Sequence, residues 1–243
     1  METVTLHIEG EIAWLTMNRP EVLNAFDQAM VDAMLARLKE LAADRRVRAA
    51  ILTGKGRAFS AGVDLKALSA QALSIQWFRN WDRIAATLER LEMPLVIGAR
   101  GDCIGGGLGL LLTGDYRIGA DDIRVGLGAV KHGLVAGPAT HQLAARIGAL
   151  NARRLCLFDE FLDASEALRI GLIDRVVPES RVEEIAHAAA ERVAKFPRSA
   201  VRETKRLLAE AAALDLSRFE RDYLQAQQRS LESGASLRWK LNR

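Results

Sequence analysis

An α/β fold with a helical C-terminal part is what three features of the sequence predict. Short apolar runs alternate with segments of helical periodicity over roughly the first 140 residues. From His141 onward the pattern is almost wholly helical. Glycine and proline fall at the seams, in Gly54-Lys55-Gly56, Pro94, Gly105-Gly106-Gly107 and Phe196-Pro197-Arg198. Strand–helix alternation followed by helices describes a layered α/β core with a helical appendage.

The elements follow in order. Val4 to His7 and Ile12 to Met17 are apolar or alternating around Glu9-Gly10-Glu11, the pattern of a strand pair. Asn18-Arg19-Pro20 ends it. Asp27 to Ala43 places Met30, Met34, Leu38 and Leu41 at helical spacing, with Asp27 as N-cap. Val47 to Thr53 is a short apolar strand. A loop from Phe59 to Leu65 leads to a helix over about Gln71 to Glu92, stopped by Pro94. Leu95 to Ala99 is a buried strand, and the three glycines open a helix to about Leu112. Tyr116 to Ala120 and Val125 to Leu127 are further strands. Helices are expected over His141 to Ile147, Ala149 to Leu157, Ser165 to Ile170, Val182 to Phe196, Ser199 to Ala213 and Leu216 to Ser233.

Composition narrows the function classes. The 243 residues carry 34 Lys+Arg against 31 Asp+Glu, a formal charge of +3, with 49% hydrophobic residues. That is globular usage and excludes a disordered or collagen-like chain. Cys103 and Cys156 form neither a CxxC pair nor a disulfide framework, so no metal centre is expected. The start of the chain lacks a basic segment followed by an apolar run, and no apolar stretch reaches the ~20 residues of a membrane helix. A cytoplasmic protein without membrane or nucleic-acid partners is expected; mild basicity spread along the chain favours anionic ligands only weakly.

Two glycine-bearing loops could carry chemistry. Arg57-Ala58-Phe59-Ser60-Ala61-Gly62-Val63-Asp64-Leu65-Lys66 follows a strand, and small residues around Gly62 let a ligand approach the backbone. Taken alone, it reads as a tight turn between strand and helix. Gly101-Asp102-Cys103-Ile104-Gly105-Gly106-Gly107-Leu108-Gly109 runs from a strand into a helix start, where free N–H groups and the positive helix end suit an anion or a developing oxyanion. Its spacing fits neither the dinucleotide fingerprint nor the Walker pattern. Asp115 to Ala120 and Gly133 to Pro138 could wall a pocket beyond it.

Five ordered blocks together resemble the enoyl-CoA hydratase/isomerase, or crotonase, family. They are Asn18-Arg19-Pro20-Glu21-Val22-Leu23-Asn24-Ala25; Val47-Arg48-Ala49-Ala50-Ile51-Leu52-Thr53-Gly54; Phe59-Ser60-Ala61-Gly62-Val63-Asp64-Leu65; Gly105-Gly106-Gly107 with Asp115; and Ala164-Ser165-Glu166-Ala167 with Gly171-Leu172-Ile173-Asp174-Arg175-Val176-Val177. The resemblance spans about residues 4 to 230. It implies a spiral of ββα units over residues 1–190 and a C-terminal helical trimerisation region over 191–243, with homotrimers often paired into hexamers. It also implies an acyl-CoA thioester ligand from fatty acid metabolism, with coenzyme A as part of the substrate and no separate cofactor. The Val63 and Gly106 N–H groups would form an oxyanion hole. Ala61 and Leu65 would line the coenzyme A path, and Lys66 would sit near its phosphates unless it is only an exposed helix-start lysine. Asp64 is read equally as loop support or ligand contact.

The sequence departs from the family pattern where acids are needed. The hydratases' two glutamates map onto Gly109, three residues after the middle glycine, and Ala129, twenty further on. A further aspartate used by some members maps onto Gly137. None of the three can ionise, and a missing general acid–base group costs about 10²–10⁴-fold. His132 is the candidate replacement, its ordinary titration range suiting proton transfer; its other reading is a loop histidine beside Lys131. Asp102 and Asp115 are read as structural anchors. The chain closes on Trp239-Lys240-Leu241-Asn242-Arg243, where Lys240 or Arg243 could reach a neighbour's coenzyme A. The expected function is enolate or oxyanion stabilisation on an acyl-CoA, as lyase or isomerase, without two-glutamate hydration. A non-catalytic acyl-CoA-binding paralogue and an acyl-CoA thioester or ring hydrolase are the alternatives.

Overall fold

The computed structural model describes residues 2–69 and 74–212 and, beyond them, Leu224, Gln228 and Glu232. Its eight strands are β1 (Val4–Glu9), β2 (Ile12–Met17), β3 (Ala49–Gly54), β4 (Leu95–Ala99), β5 (Asp102–Ile104), β6 (Tyr116–Ala120), β7 (Arg124–Gly126) and β8 (Arg175–Val177). The α-helices are α1 (Gln28–Ala43), α2 (Leu65–Ser69), α3 (Ile75–Glu89), α4 (Gly106–Leu112), α5 (Gly137–Leu157), α6 (Ala164–Arg169), α7 (Val182–Ala194) and α8 (Arg198–Ala212). A six-stranded sheet has the order β1-β2-β3-β4-β6-β8, and β5 pairs with β7 in a second, two-stranded sheet.

Only the β1–β2 pair is antiparallel, joined through Gly10 with φ +58°. The remaining pairs of the large sheet are parallel. Parallel strands need crossovers; β2 returns to β3 through α1, and the three later crossovers pass through the small sheet or a bridge to it. β4 runs into β5 and then α4; β6 runs into β7 and then α5. β3 does the same in reduced form, because Ser60 makes a parallel bridge to Cys103 before α2 and α3 begin. Three successive strand–short strand–helix turns form the spiral expected from the sequence.

The two faces of the large sheet are packed differently. One carries the main core, where Met30, Val31, Met34, Leu38 and Leu41 of α1 are fully buried. Asp27 caps α1 as expected, its carboxylate accepting from Met30 N at 2.9 Å. The other face is covered by α7, whose Val182, Ala186, Ala190 and Ala194 recur every four residues and are buried against Ile51, Val96 and Ile118. Small side chains bring α7 close: a Cβ at Gly98 of β4 would lie 3.2 Å from Val182 Cγ1.

Three expectations need adjustment. The strand expected from Val47 begins at Ala49. The helix expected over Gln71 to Glu92 is seen from Ile75 to Glu89, capped by Ser74, with residues 71–73 outside the described residues. β5 and β8 were not anticipated, three-residue strands being too short for periodicity to register. The two helices expected on either side of Gly148 are present as α5, broken there by a non-helical φ of 78°. The expected helix over Leu216 to Ser233, and Lys240 and Arg243, lie outside the described residues apart from Leu224, Gln228 and Glu232. α8 is tied to the sheet end by Lys205, whose Nζ lies 2.6 Å from Asp115 Oδ2 and 3.0 Å from Met93 O. Asp115 also accepts from Leu95 N at 2.7 Å, so it is the anchor expected of it.

Candidate active site

The two loops singled out in the sequence meet. Phe26 bridges Val63: Phe26 N donates to Gly62 O at 2.7 Å, and Asp64 N donates to Phe26 O at 2.9 Å. That pairing uses the groups on either side of Val63 and turns the Val63 N–H away from Phe26. Gly62, with φ +85°, presses on the glycine turn; a Cβ there would lie 2.7 Å from Ile104 O and 2.9 Å from Gly106 N. Only glycine fits this crossing. Gly106 begins α4, where the first N–H groups have no partner within the helix. Among the described residues, neither the Val63 nor the Gly106 N–H donates to a main-chain carbonyl.

A cavity of about 410 Å³ opens over this crossing. Ala61, Val63 and Leu65 line one side, and Gly105, Gly106 and Gly109 lie along α4. Ala129 and His132 belong to the segment between β7 and α5, Gly137 begins α5, and Trp77, Phe78, Trp81 and Ala85 belong to α3. Among the described lining residues there is no Asp or Glu. A Cβ built on Gly109 meets nothing within 4 Å, so this position faces open space although the residue is buried. Its neighbours differ: a Cβ at Gly106 would lie 2.7 Å from the Trp81 ring, and one at Gly107 would lie 2.4 Å from Ser60 O.

The α3 wall was not anticipated as part of the site. Trp81 packs edge-on to Phe26, ring centroids 4.7 Å apart, and parallel to Trp77 at 5.8 Å. It therefore braces both sides of the crossing, Phe26 beside Val63 and the backbone of Gly106. The signal was present in the sequence, since Trp77, Trp81 and Ala85 recur every four residues, but that spacing marks any buried helix face.

The remaining candidates divide. Asp64 caps α2, its Oδ1 accepting from Lys66 N at 2.9 Å, and pairs with Arg19 at 3.5 Å; it does not line the cavity. Lys66 is exposed at the start of α2, outside the lining, whereas Leu65 reaches the rim. His132 lines the cavity and ends the short 3-10 turn Val130–His132. Asp102 pairs with Arg124 at 2.8 Å, as a loop anchor should. Arg124 and Lys131, not foreseen as site residues, flank the Phe161 ring at 4.9 Å and 5.1 Å from its centroid, on the cavity lining. Burial pushes the Cys103 thiol up, and it is inert packing beneath the glycine turn. Among the described residues no group of three or more metal-ligating side chains occurs, and no helix is long and apolar enough to cross a membrane.

A spiral of strand–short strand–helix turns with a glycine crossing beneath a largely apolar cavity defines a crotonase-like fold. The chain belongs to the enoyl-CoA hydratase/isomerase family, whose sequence model matches residues 7–236. It is 31% identical over 233 residues to a probable enoyl-CoA hydratase of Rhizobium meliloti (strain 1021), covering 93% of this chain and 89% of that one. Among solved structures, an enoyl-CoA hydratase from Mycobacterium avium subsp. paratuberculosis K-10 superposes with a TM-score of 0.91 over 98% of each chain at 22% identity. A monofunctional enoyl CoA isomerase from M. smegmatis superposes with a TM-score of 0.77 at 31% identity, covering 88% of this chain and 96% of that one.

Proposed function

We propose that the protein binds an acyl-CoA thioester and stabilises its enolate or oxyanion with the Val63 and Gly106 N–H groups, without two-glutamate hydration. The observation that carries this reading is the composition of the cavity. It lies over two uncommitted backbone donors, yet Gly109, Ala129 and Gly137 supply no carboxylate. Preorganised donors in a dry site act where charge develops, and one such donor is worth roughly 3–4 kcal/mol. On this reading Ala61 and Leu65 guide the pantetheine arm, and Lys66, exposed beyond the lining, meets the phosphates outside the cavity. The Trp81 wall excludes water from the thioester.

Proton transfer then falls to His132, the imidazole on the lining, or to the substrate's own functional group. The absence of a carboxylate among the described lining residues equally favours a second reading, a non-catalytic acyl-CoA-binding paralogue; a hydrolase of the thioester or of a ring, using water held by His132, is a third. Calorimetry with acyl-CoAs and α-proton exchange in deuterated water separate them. Binding with exchange supports the enzyme; binding with neither exchange, hydration of crotonyl-CoA nor hydrolysis supports the paralogue. Failure to bind any coenzyme A thioester would sink all three.

Assembly into homotrimers or dimers of trimers, in the cytoplasm, is part of the proposal. Leu150, Leu157 and Phe158 at the end of α5 are exposed by 78%, 62% and 74%, apolar surface that association would cover. Light scattering after gel filtration reads the mass directly, and a monomer would overturn the assembly.

A further inference from the structure

The cavity wall carries polar side chains that the proposed chemistry does not use, and one of them is a buried amide. Gln142 of α5 is 8% exposed and lines the cavity. Its Nε2 donates to Glu89 Oε1 at 2.6 Å, and Arg146, one turn further along α5, donates to the same oxygen at 3.4 Å. A guanidinium only donates, so Glu89 Oε1 is an acceptor, and the Gln142 amide must turn its NH2 group toward it. The amide is thereby oriented. Its carbonyl oxygen is the half left for the cavity. That oxygen is not one of the sealed, unpartnered polar atoms, and among the described residues no donor reaches it.

On the cavity side the neighbours of this acceptor along the lining are apolar, Ala85 on α3 and Pro138 and Ala139 one turn back on α5. An alkyl chain pressed against it strips its water and returns nothing, whereas a hydroxyl satisfies it. Position sets where that hydroxyl must be. Trp81 covers Gly106, and Glu89 lies eight residues further along α3, a rise of about 12 Å. A hydroxyl on the α or β carbon stays at the Gly106 end.

Resting on the acyl-CoA reading above, we propose that Gln142, with Glu89 as its positioning residue, selects acyl thioesters bearing a hydroxyl toward the far end of the acyl chain. Site-directed variants and calorimetry with octanoyl-CoA and ω-hydroxyoctanoyl-CoA test it. The protein should bind the hydroxylated thioester ~10-fold or more tightly, one hydrogen bond's worth of discrimination. Gln142→Leu, which keeps the volume and removes the acceptor, should bring the ratio of the two affinities to about one. Glu89→Met keeps the length but removes the acceptor, leaving Gln142 intact with its amide unfixed, and should also lower the ratio; it carries the test if Gln142→Leu does not fold. Equal affinity of the wild type for both thioesters, or a ratio that survives both substitutions, overturns the proposal while leaving acyl-CoA binding in place. Binding of neither thioester overturns the acyl-CoA reading and this proposal with it.

Discussion

Asn24 holds the loop beneath the site together by itself. It is fully buried and sits at φ +53°, a conformation that asparagine tolerates better than most residues. Its Nδ2 donates to Lys55 O at 3.0 Å and Ala58 O at 2.9 Å, and its Oδ1 accepts from Arg19 N at 2.8 Å. Its main-chain oxygen accepts from Ser60 Oγ at 2.8 Å. Asn24→Ala removes the three side-chain bonds and strands buried partners, so a loss of about 3 kcal/mol is expected in urea unfolding. The site residues divide in the same way between what the sequence carries and what it does not. Val63, Gly106, Gly109 and Ala129 lie in or at fixed spacings from continuous motifs, and the fold brings them to one cavity. Trp81 and Gln142 lie in no motif. Gln142 meets Glu89 across 53 positions of chain, and nothing local marks such a contact.

At the scale of one element, α4 separates construction from chemistry within a few residues. Gly107→Ala drives a methyl group into the Ser60 carbonyl oxygen, a main-chain atom that cannot swing aside, and should destabilise by ~1–3 kcal/mol. Gly109→Ala meets open space in a helical backbone and should stabilise by about 0.5–1 kcal/mol. Opposite shifts in thermal unfolding check the pair. The same open space allows a functional test. Gly109→Glu with Ala129→Glu should yield measurable hydration of crotonyl-CoA, by spectrophotometric assay, with the fold retained. Continued silence of a double variant that still binds the thioester would mean that the donors are not placed for hydration. Long strands and strongly periodic helices were legible in the sequence because burial of one face writes the period. Of the small sheet only β7 was legible, as Val125 to Leu127; β5 and the Ser60 bridge are too short to show a period.

For the whole molecule, the acid side of the stability curve is set at the surface. Hydrogen bonds from Arg169 and Arg154 hold the Glu166 carboxyl down to about 2, below its ordinary 4.5, joining α6 to α5. Its contribution is therefore present above pH 4.5 and is lost as pH falls toward about 2. A gap in melting temperature between wild type and Glu166→Gln should stand at pH 6 and close on acidification. Glu89 acts in the opposite sense. Burial raises its carboxyl despite Arg146, so its contribution grows as pH falls through its raised value.

The vacancy in front of Gly109 also bears on how such a chain diversifies. Gly62 and Gly107 cannot take a side chain without moving backbone, and Gly106 cannot without moving Trp81, so the cradle resists drift. Gly109 can take a Cβ into open space, and a side chain placed there changes what the cavity can do. A lineage built on this scaffold can lose one reaction and try another while remaining folded at every step.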